Sequence, residues 1–139
     1  MNKIILSLIV IVVCFLSCTN SNREAGTVKD NKVSLRTDTL NVVNLSDTLA
    51  IYESTCRGCA YEQSTHFDIN DSLGIIKLLA ITTTDNNSAD MNGGSVSKNL
   101  ILVPTKTGTT TFKLYKFWKD GGTAEDSARF IPYTIEVRN

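Results

Sequence analysis

The chain has 139 residues, of which 42% are hydrophobic and 20% are charged, and its 14 acidic residues balance its 14 basic residues. This length is enough for one domain with a single hydrophobic core. Because the charges cancel and no long run of either sign occurs, nothing in the composition would attract nucleic acid, and we set nucleic-acid binding aside.

Residues 1–17 are predicted to be a lipoprotein signal peptide. Lys3 provides a positive start, residues 4–16 are almost continuously apolar, and the small Ser17 precedes Cys18. The apolar run is too short to cross a hydrocarbon core of about 30 Å as a helix. Its ending resembles the lipobox of bacterial lipoproteins, which implies cleavage before Cys18 and lipidation at that cysteine. An ordinary signal peptide with an incidental cysteine is the alternative.

Residues 18–37 are predicted to be the lipidated cysteine and a polar tether, because Thr19–Arg36 is polar and lacks periodicity. A flexible coil of this length spans on the order of 25 Å. We therefore expect domain 38–139 to stand clear of the lipid headgroups of a bacterial cell envelope. The outer membrane, the periplasm and the cell surface all remain open as its location.

Residues 38–139 have the pattern of an all-β domain, in which β-branched and aromatic runs are separated by Asn, Asp, Gly and Ser. The last run alternates apolar and polar residues with a period of two, and we expect Pro132 at an edge or a bulge. About seven short strands without a convincing amphipathic helix predict an immunoglobulin-like β-sandwich. The predicted strands are 39–45, 48–54, 61–69, 73–83, 98–104, 109–118 and 128–138.

Three connections between these strands carry turn signals. The segment Pro104–Gly108 is rich in turn residues, which predicts a hairpin between strands 98–104 and 109–118. Two longer loops, at 85–97 and 120–127, each contain a glycine pair. Long loops on a rigid sandwich are the usual place for binding, although they can also be plain surface excursions.

Cys56 and Cys59 are the only cysteines of the folded domain, since Cys14 lies in the signal and Cys18 would carry lipid. An exported compartment favours a disulfide between them. So short a loop gains only about 2 kcal/mol from closure, and its main effect would be to stiffen the loop. A redox-active pair is the alternative, but no βαβ pattern surrounds it.

The chain has a single histidine, His66. Neither a tetrahedral zinc site nor a Ser-His-Asp or Cys-His arrangement has a defensible spacing around it. We therefore expect no metal, no cofactor and no enzymatic activity. Four Asp-Ser/Thr-aliphatic triplets resemble a bacterial O-glycosylation sequon, although so short a motif also occurs by chance. They would place sugars on Thr39, Thr48, Ser72 and Ser127.

Residues 109–138 resemble the C-terminal hairpin of the chagasin-like inhibitors of papain-type cysteine proteases. In that family an aromatic-rich strand ends in an Arg-Pro-Trp-like loop, and a final strand opens with a Ser-x-Arg-Phe-like stretch. Here Lys116-Phe117-Trp118 stands in the loop position and Ser127–Phe130 opens the last strand. Trp118 is retained, whereas Lys116 replaces Arg and Phe117 replaces Pro.

Two further loops extend the resemblance. Met91-Asn92-Gly93-Gly94 stands where the family has Gly-x-Gly-Gly, and its glycine pair matches. Ser54–Gly58, leading to Tyr61, takes the place of Asn-Pro-Thr-Thr-Gly and retains only Gly58. The resemblance implies an immunoglobulin-like fold whose three loops block the active-site cleft of a papain-like protease.

The resemblance also implies roles for individual residues. Gly58, Gly93 and Gly94 would let backbone approach the protease closely. Tyr61, Asn92, Lys116 and Phe117 would belong to the same binding loops. Trp118 would be an aromatic anchor, with core packing as the alternative, and we expect Lys116 to be a solvated charge. The expected molecule is a monomer whose partner is a papain-like protease. A non-inhibitory immunoglobulin-like binding or assembly module and a thiol–disulfide lipoprotein are the competing interpretations.

Overall fold

The computed structural model describes residues 32–88, 93–119 and 123–139. The predicted signal peptide and Cys18 lie outside these residues. In the described ranges no helix is long and apolar enough to cross a membrane. The elements are β1 (Lys32–Ser34), β2 (Leu40–Asn44), β3 (Thr48–Cys56), β4 (His66–Asn70), β5 (Ile76–Thr84), β6 (Ser95–Pro104), β7 (Gly108–Phe117), the short helix α1 (Ala124–Ala128) and β8 (Phe130–Arg138).

The strands form two four-stranded sheets, with the orders β1-β3-β6-β5 and β2-β8-β7-β4. The pairs β1–β3 and β2–β8 are parallel, whereas the other neighbours are antiparallel. The two sheets face each other across a common apolar core, which confirms the predicted immunoglobulin-like β-sandwich.

The core forms because alternate residues of each inner strand point between the sheets. In β7 and β8 the rings of Phe112 and Tyr133 stack with their centroids 5.4 Å apart. Burial of such side chains is the main favourable term in folding. The largest fully buried side chains are Phe112, Leu49, Ile51, Leu100, Leu102, Leu114 and Ile135.

The first strand lies within the range predicted as a tether. Residues 32–34 pair with β3, Val33 packs against the core and Leu35 is buried in it. The sandwich therefore begins before residue 38, and the prediction that Thr19–Arg36 is solvated throughout is wrong at its C-terminal end. Two apolar residues among polar ones form too short a pattern to predict β1, because this strand is stabilised by its pairing with β3.

The predicted hairpin between 98–104 and 109–118 is also wrong, because β6 and β7 belong to different sheets. The Thr105 amide donates a hydrogen bond to the Ile75 carbonyl at 2.8 Å, and the Thr105 hydroxyl donates to the Gly74 carbonyl at 2.7 Å. The link at 105–107 thus crosses between the sheets beside the turn that follows β4. Turn residues mark a change of direction but do not determine whether the flanking strands pair.

The start of β4, the helix α1 and the position of Pro132 can each be compared with the predictions from the sequence. The strand predicted at 61–69 begins only at His66, so that Tyr61 lies in a run of turns. The loop predicted at 120–127 contains α1, which Thr123 caps. Pro132 pairs with Lys113 of β7, while β2 joins β8 only from Thr134 onward. Pro132 therefore lies on a locally free edge, as predicted.

Asp71 anchors the connection between β4 and β5. Its carboxylate accepts hydrogen bonds from the amides of Leu73, Ile75 and Ile76 and from the hydroxyl of Thr110, at distances of 2.6 to 3.1 Å. Partial burial acts to raise the pKa of Asp71, but these hydrogen bonds outweigh it and leave the pKa below its usual value. The connection is therefore tied to β7 by a charged side chain.

The four predicted glycosylation positions lie in different surroundings. Thr39, Ser72 and Ser127 are exposed, whereas Thr48 is half-buried at the start of β3. The Ser127 hydroxyl donates to the Thr123 carbonyl at 3.1 Å. Use of these sequons stays a prediction.

Candidate functional site

Three connections meet at one end of the sandwich. We call them loop 1 (residues 57–65, between β3 and β4), loop 2 (residues 85–94, between β5 and β6) and loop 3 (residues 118–129, between β7 and β8). The register explains their convergence, because Cys56 at the end of β3 is paired with Ser95 at the start of β6. In the other sheet, Phe117 at the end of β7 is paired with His66 at the start of β4.

Loops 1 and 2 are joined through their backbones. The Arg57 amide donates a hydrogen bond to the Gly94 carbonyl at 2.9 Å. A Cβ atom added at Gly58 would lie 3.6 Å from the amide nitrogen of Gly93. The φ angles of Gly58 and Gly93 are 71° and 83°, in the left-handed region that glycine adopts without strain. Glycine is thus favoured at both positions where these loops approach each other.

Polar side chains hold the described part of loop 2. Asp85 accepts hydrogen bonds from the amide and the side-chain nitrogen of Asn87, at 3.0 and 2.7 Å. The Arg57 guanidinium lies 2.7 Å from the other Asp85 oxygen. Hydrogen bonds from the amide and the side chain of Asn87, together with a smaller effect of Arg57, hold the pKa of Asp85 below its usual value although desolvation acts to raise it. This carboxylate therefore links loop 2 to loop 1.

Loops 1 and 3 meet at Trp118. The Tyr61 and Trp118 rings lie edge to face with centroids 6.5 Å apart, and the Ser64 hydroxyl donates to the Trp118 carbonyl at 2.6 Å. The Lys119 ammonium lies 5.7 Å from the centre of the Tyr61 ring. Trp118 remains 38% exposed. The alternative that this tryptophan is a core residue is therefore wrong.

Lys116 is half-buried, and the prediction that it is a solvated charge is wrong. Its ammonium donates to the Ser54 carbonyl at 2.6 Å and lies 4.8 Å from the centre of the Trp118 ring. Lys116 belongs to the second sheet and Ser54 to the first, so this side chain connects the sheets behind loop 3. An ammonium beside an indole face is also a favourable cation–π arrangement.

Phe117 lies on the other side of β7 from Lys116, because successive side chains alternate along a strand. Its ring stacks on His66, with centroids 4.9 Å apart, and on Tyr115 at 5.9 Å. The structure therefore separates Phe117 from the surface around Trp118.

Loop 1 is closed by a disulfide between Cys56 and Cys59, whose Cα atoms lie 5.9 Å apart. The Tyr61 amide donates a hydrogen bond to the Cys59 sulfur at 3.4 Å. The Gly58 amide donates to a carboxylate oxygen of Glu62 at 2.6 Å. Both cysteines are half-buried. The disulfide and these hydrogen bonds together restrict the conformation of loop 1.

The structure thus brings most of the predicted binding residues to one end of the molecule. Gly58, Tyr61, Gly93, Gly94 and Trp118 lie there, whereas Phe117 faces away and Asn92 lies outside the described residues. We call the surface of loops 1, 2 and 3 around these five residues the loop surface. In the described ranges no group of three or more His, Cys, Asp or Glu residues is arranged to hold a metal.

Several residues that fix the loop surface were not predicted from the sequence. The pair Arg57–Asp85 and the contact from Ser64 to Trp118 join residues 28 and 54 positions apart, and no local pattern reveals such pairs. The helix in loop 3 did have a signal, because Thr123 and Asp126 have the spacing of a capping box.

No protein-family model and no curated protein sequence matches the chain. Solved structures do match it. The cysteine protease inhibitor EhICP2 from Entamoeba histolytica aligns with a TM-score of 0.54 and 16% identity, over 78% of this chain and 94% of that protein. The solution structure of amebosin aligns with a TM-score of 0.55 and 14% identity, over 77% of this chain and 96% of that protein. This chain shares their fold. At such identities the likeness is one of fold alone, and at that level it supports the predicted chagasin-like resemblance.

Proposed function

We propose that the protein inhibits papain-type cysteine proteases by inserting the loop surface into their active-site cleft. The observation that carries this proposal is the convergence of loops 1, 2 and 3, through the contacts from Arg57 to Gly94 and from Tyr61 to Trp118. A fold shared with a cysteine protease inhibitor supports it.

The chemistry of the loop surface is suited to blocking the active-site cleft of a protease. At Gly58 and Gly93 the absence of side chains lets backbone approach a protease closely. Trp118 offers a partly exposed aromatic ring, the kind of residue on which interface energy concentrates once a partner removes it from water. The contacts that tie the loops together limit the ordering cost of binding, since a preorganised surface loses less conformational freedom. Inhibition of this kind requires no catalytic residue.

The proposal includes an envelope location. The apolar run that ends at Cys18 supports lipidation and cleavage, and residues 19–31 would connect the lipid to β1. In this arrangement the protein acts as a lipid-anchored monomer on proteases that reach the bacterial envelope. The loop surface would then face an exported protease and not a cytoplasmic one.

A second candidate function is a non-inhibitory binding or assembly module. Phe117 faces away from Trp118, and the disulfide loop at Cys56–Cys59 replaces all but the glycine of the family's first loop. These two features favour a loop surface adapted to another partner. This candidate predicts binding of that partner without any effect on papain.

A titration of protease activity tests the proposed function. Purified protein should inhibit papain and related cathepsin-like enzymes reversibly and should remain intact after incubation. Trypsin, which has a serine nucleophile, is the matched control and should be unaffected. No inhibition of any papain-type enzyme at micromolar protein, with the fold verified by circular dichroism, would contradict the proposal and leave the binding module.

A further inference from the structure

The disulfide of loop 1 lies within the loop surface. Arg57, which follows Cys56, donates its amide hydrogen bond to Gly94 of loop 2, and Tyr61, two residues after Cys59, contacts Trp118 of loop 3. Neither Cys56 nor Cys59 is fully buried. A partner that covers the loop surface would therefore cover this sulfur–sulfur bond as well.

The proposed target has a nucleophile that reacts with disulfides. A papain-type protease holds its catalytic cysteine as a thiolate at neutral pH, because a paired histidine lowers the pKa of the thiol. Thiolates attack disulfides directly to give a mixed disulfide and a new thiolate. Insertion of loop 1 into the cleft would bring these two reactants together.

We propose that the target's catalytic thiolate attacks the Cys56 sulfur and expels the Cys59 sulfur as a thiolate. This inference rests on the proposed function. One sulfur–sulfur bond breaks and another forms between the protease and Cys56, so the exchange needs no oxidant or reductant. The disulfide is the oxidised partner, and the protease thiolate supplies the electron pair for the new bond.

The assignment of the leaving group follows from a hydrogen bond. The Tyr61 amide donates to the Cys59 sulfur at 3.4 Å, and a donor at this position stabilises negative charge on Cys59 as the bond breaks. A better-stabilised leaving thiolate departs faster. Attack at Cys56 is thereby favoured over attack at Cys59.

The same geometry makes the adduct reversible. After exchange the Cys59 thiolate remains three residues from Cys56, so it can attack the mixed disulfide and regenerate the free protease. The loop disulfide would thus prolong inhibition without consuming either protein. Alkylation of Cys59 would block the return reaction and trap the adduct.

The test uses purified protein and activated papain from which the reducing agent has been removed. The mixture is quenched with N-ethylmaleimide, and residual papain activity is measured before the quench. Intact mass spectrometry should show a 1:1 adduct carrying one maleimide, and peptide mapping should place the maleimide on Cys59 and the mixed disulfide on Cys56. Dithiothreitol should release the papain. Papain whose thiol has been carbamidomethylated, and the C56S/C59S double variant, should give no adduct.

A rate comparison separates directed exchange from general reactivity. Papain should open the disulfide at least 100-fold faster than glutathione at the same thiolate concentration, because docking places the reactants together. Equal rates, or an adduct mapped to Cys59, would overturn the proposal. Inhibition of papain without any adduct would overturn the exchange but leave the inhibitor function standing. Absence of inhibition would refute the proposed function itself.

Discussion

Replacement of Trp118 by alanine should weaken papain binding about 60-fold. Trp118 is 38% exposed in the free protein, which for a tryptophan residue with a surface of about 250 Å² leaves about 95 Å² for a partner to cover. At about 25 cal/mol per Å², covering this area contributes about 2.4 kcal/mol to binding. The backbone hydrogen bond from Ser64 uses the Trp118 carbonyl and is available in the variant as well.

The assay is an inhibition titration of papain with wild-type protein and the W118A variant, both checked for fold by circular dichroism. Tyr52 provides the control. It is 59% exposed on β3, it alternates with the buried Ile51, and it therefore lies on the outer face of the sheet, away from the loop surface. The Y52A variant should change inhibition less than threefold. Equal effects of the two substitutions, or a W118A effect below threefold, would refute the role of Trp118 as anchor.

Four further predictions concern single features of the chain. The G93V variant should weaken inhibition at least tenfold, whereas G74V, with a similar φ of 62° in the turn after β4, should share its backbone strain and leave inhibition unchanged. Asp71→Asn should lower the free energy of unfolding by about 1–3 kcal/mol at pH 7. Because the folded-state pKa of Asp71 is lowered, the stabilisation that its carboxylate provides is present above the unfolded-state pKa of about 3.9 and is lost as the pH falls through the folded-state pKa. The difference in free energy of unfolding between D71N and wild type should therefore narrow below about pH 4. Denaturation curves in which this difference does not narrow would contradict the role of Asp71. The C56S/C59S variant should remain folded and lose about 2 kcal/mol or less of stability, by urea denaturation. Cys18→Ala should abolish fatty-acid labelling and release the protein from the membrane fraction, and retention there without labelling of the wild type would rule out lipidation.

Much of the sandwich was predictable because its strands are long enough to show the alternation of apolar and polar residues that is typical of a β-strand. In β8, Tyr133, Ile135 and Val137 are buried and alternate with more exposed residues, as the sequence indicated. Elements that depend on a neighbour were not predictable. The strand β1 has three residues and is stabilised by β3. The pairing of β6 depends on distant strands and not on the turn that follows it.

The candidate site was predictable where it depends on glycine backbone conformation, because Gly58 and Gly93 have the positive φ angles that glycine adopts without strain. Exposure was not predictable, because the sequence left Trp118 open between an anchor and a core residue, and the Lys116 side chain is half-buried instead of solvated. Side-chain direction was not predictable at the end of β7, where a small shift of register decides the outcome. Lys116 points toward the first sheet, and Phe117 points away from the loop surface.

The central claim is that loops 1, 2 and 3 jointly occupy the active-site cleft of a papain-type protease. Its most direct test is a comparison of binding to papain with an open cleft and to papain whose cleft is filled by a covalent peptide inhibitor. Calorimetry should show 1:1 binding to open papain and no binding to filled papain. Equal affinity for the two forms, or no affinity for open papain at micromolar concentrations, would contradict the claim.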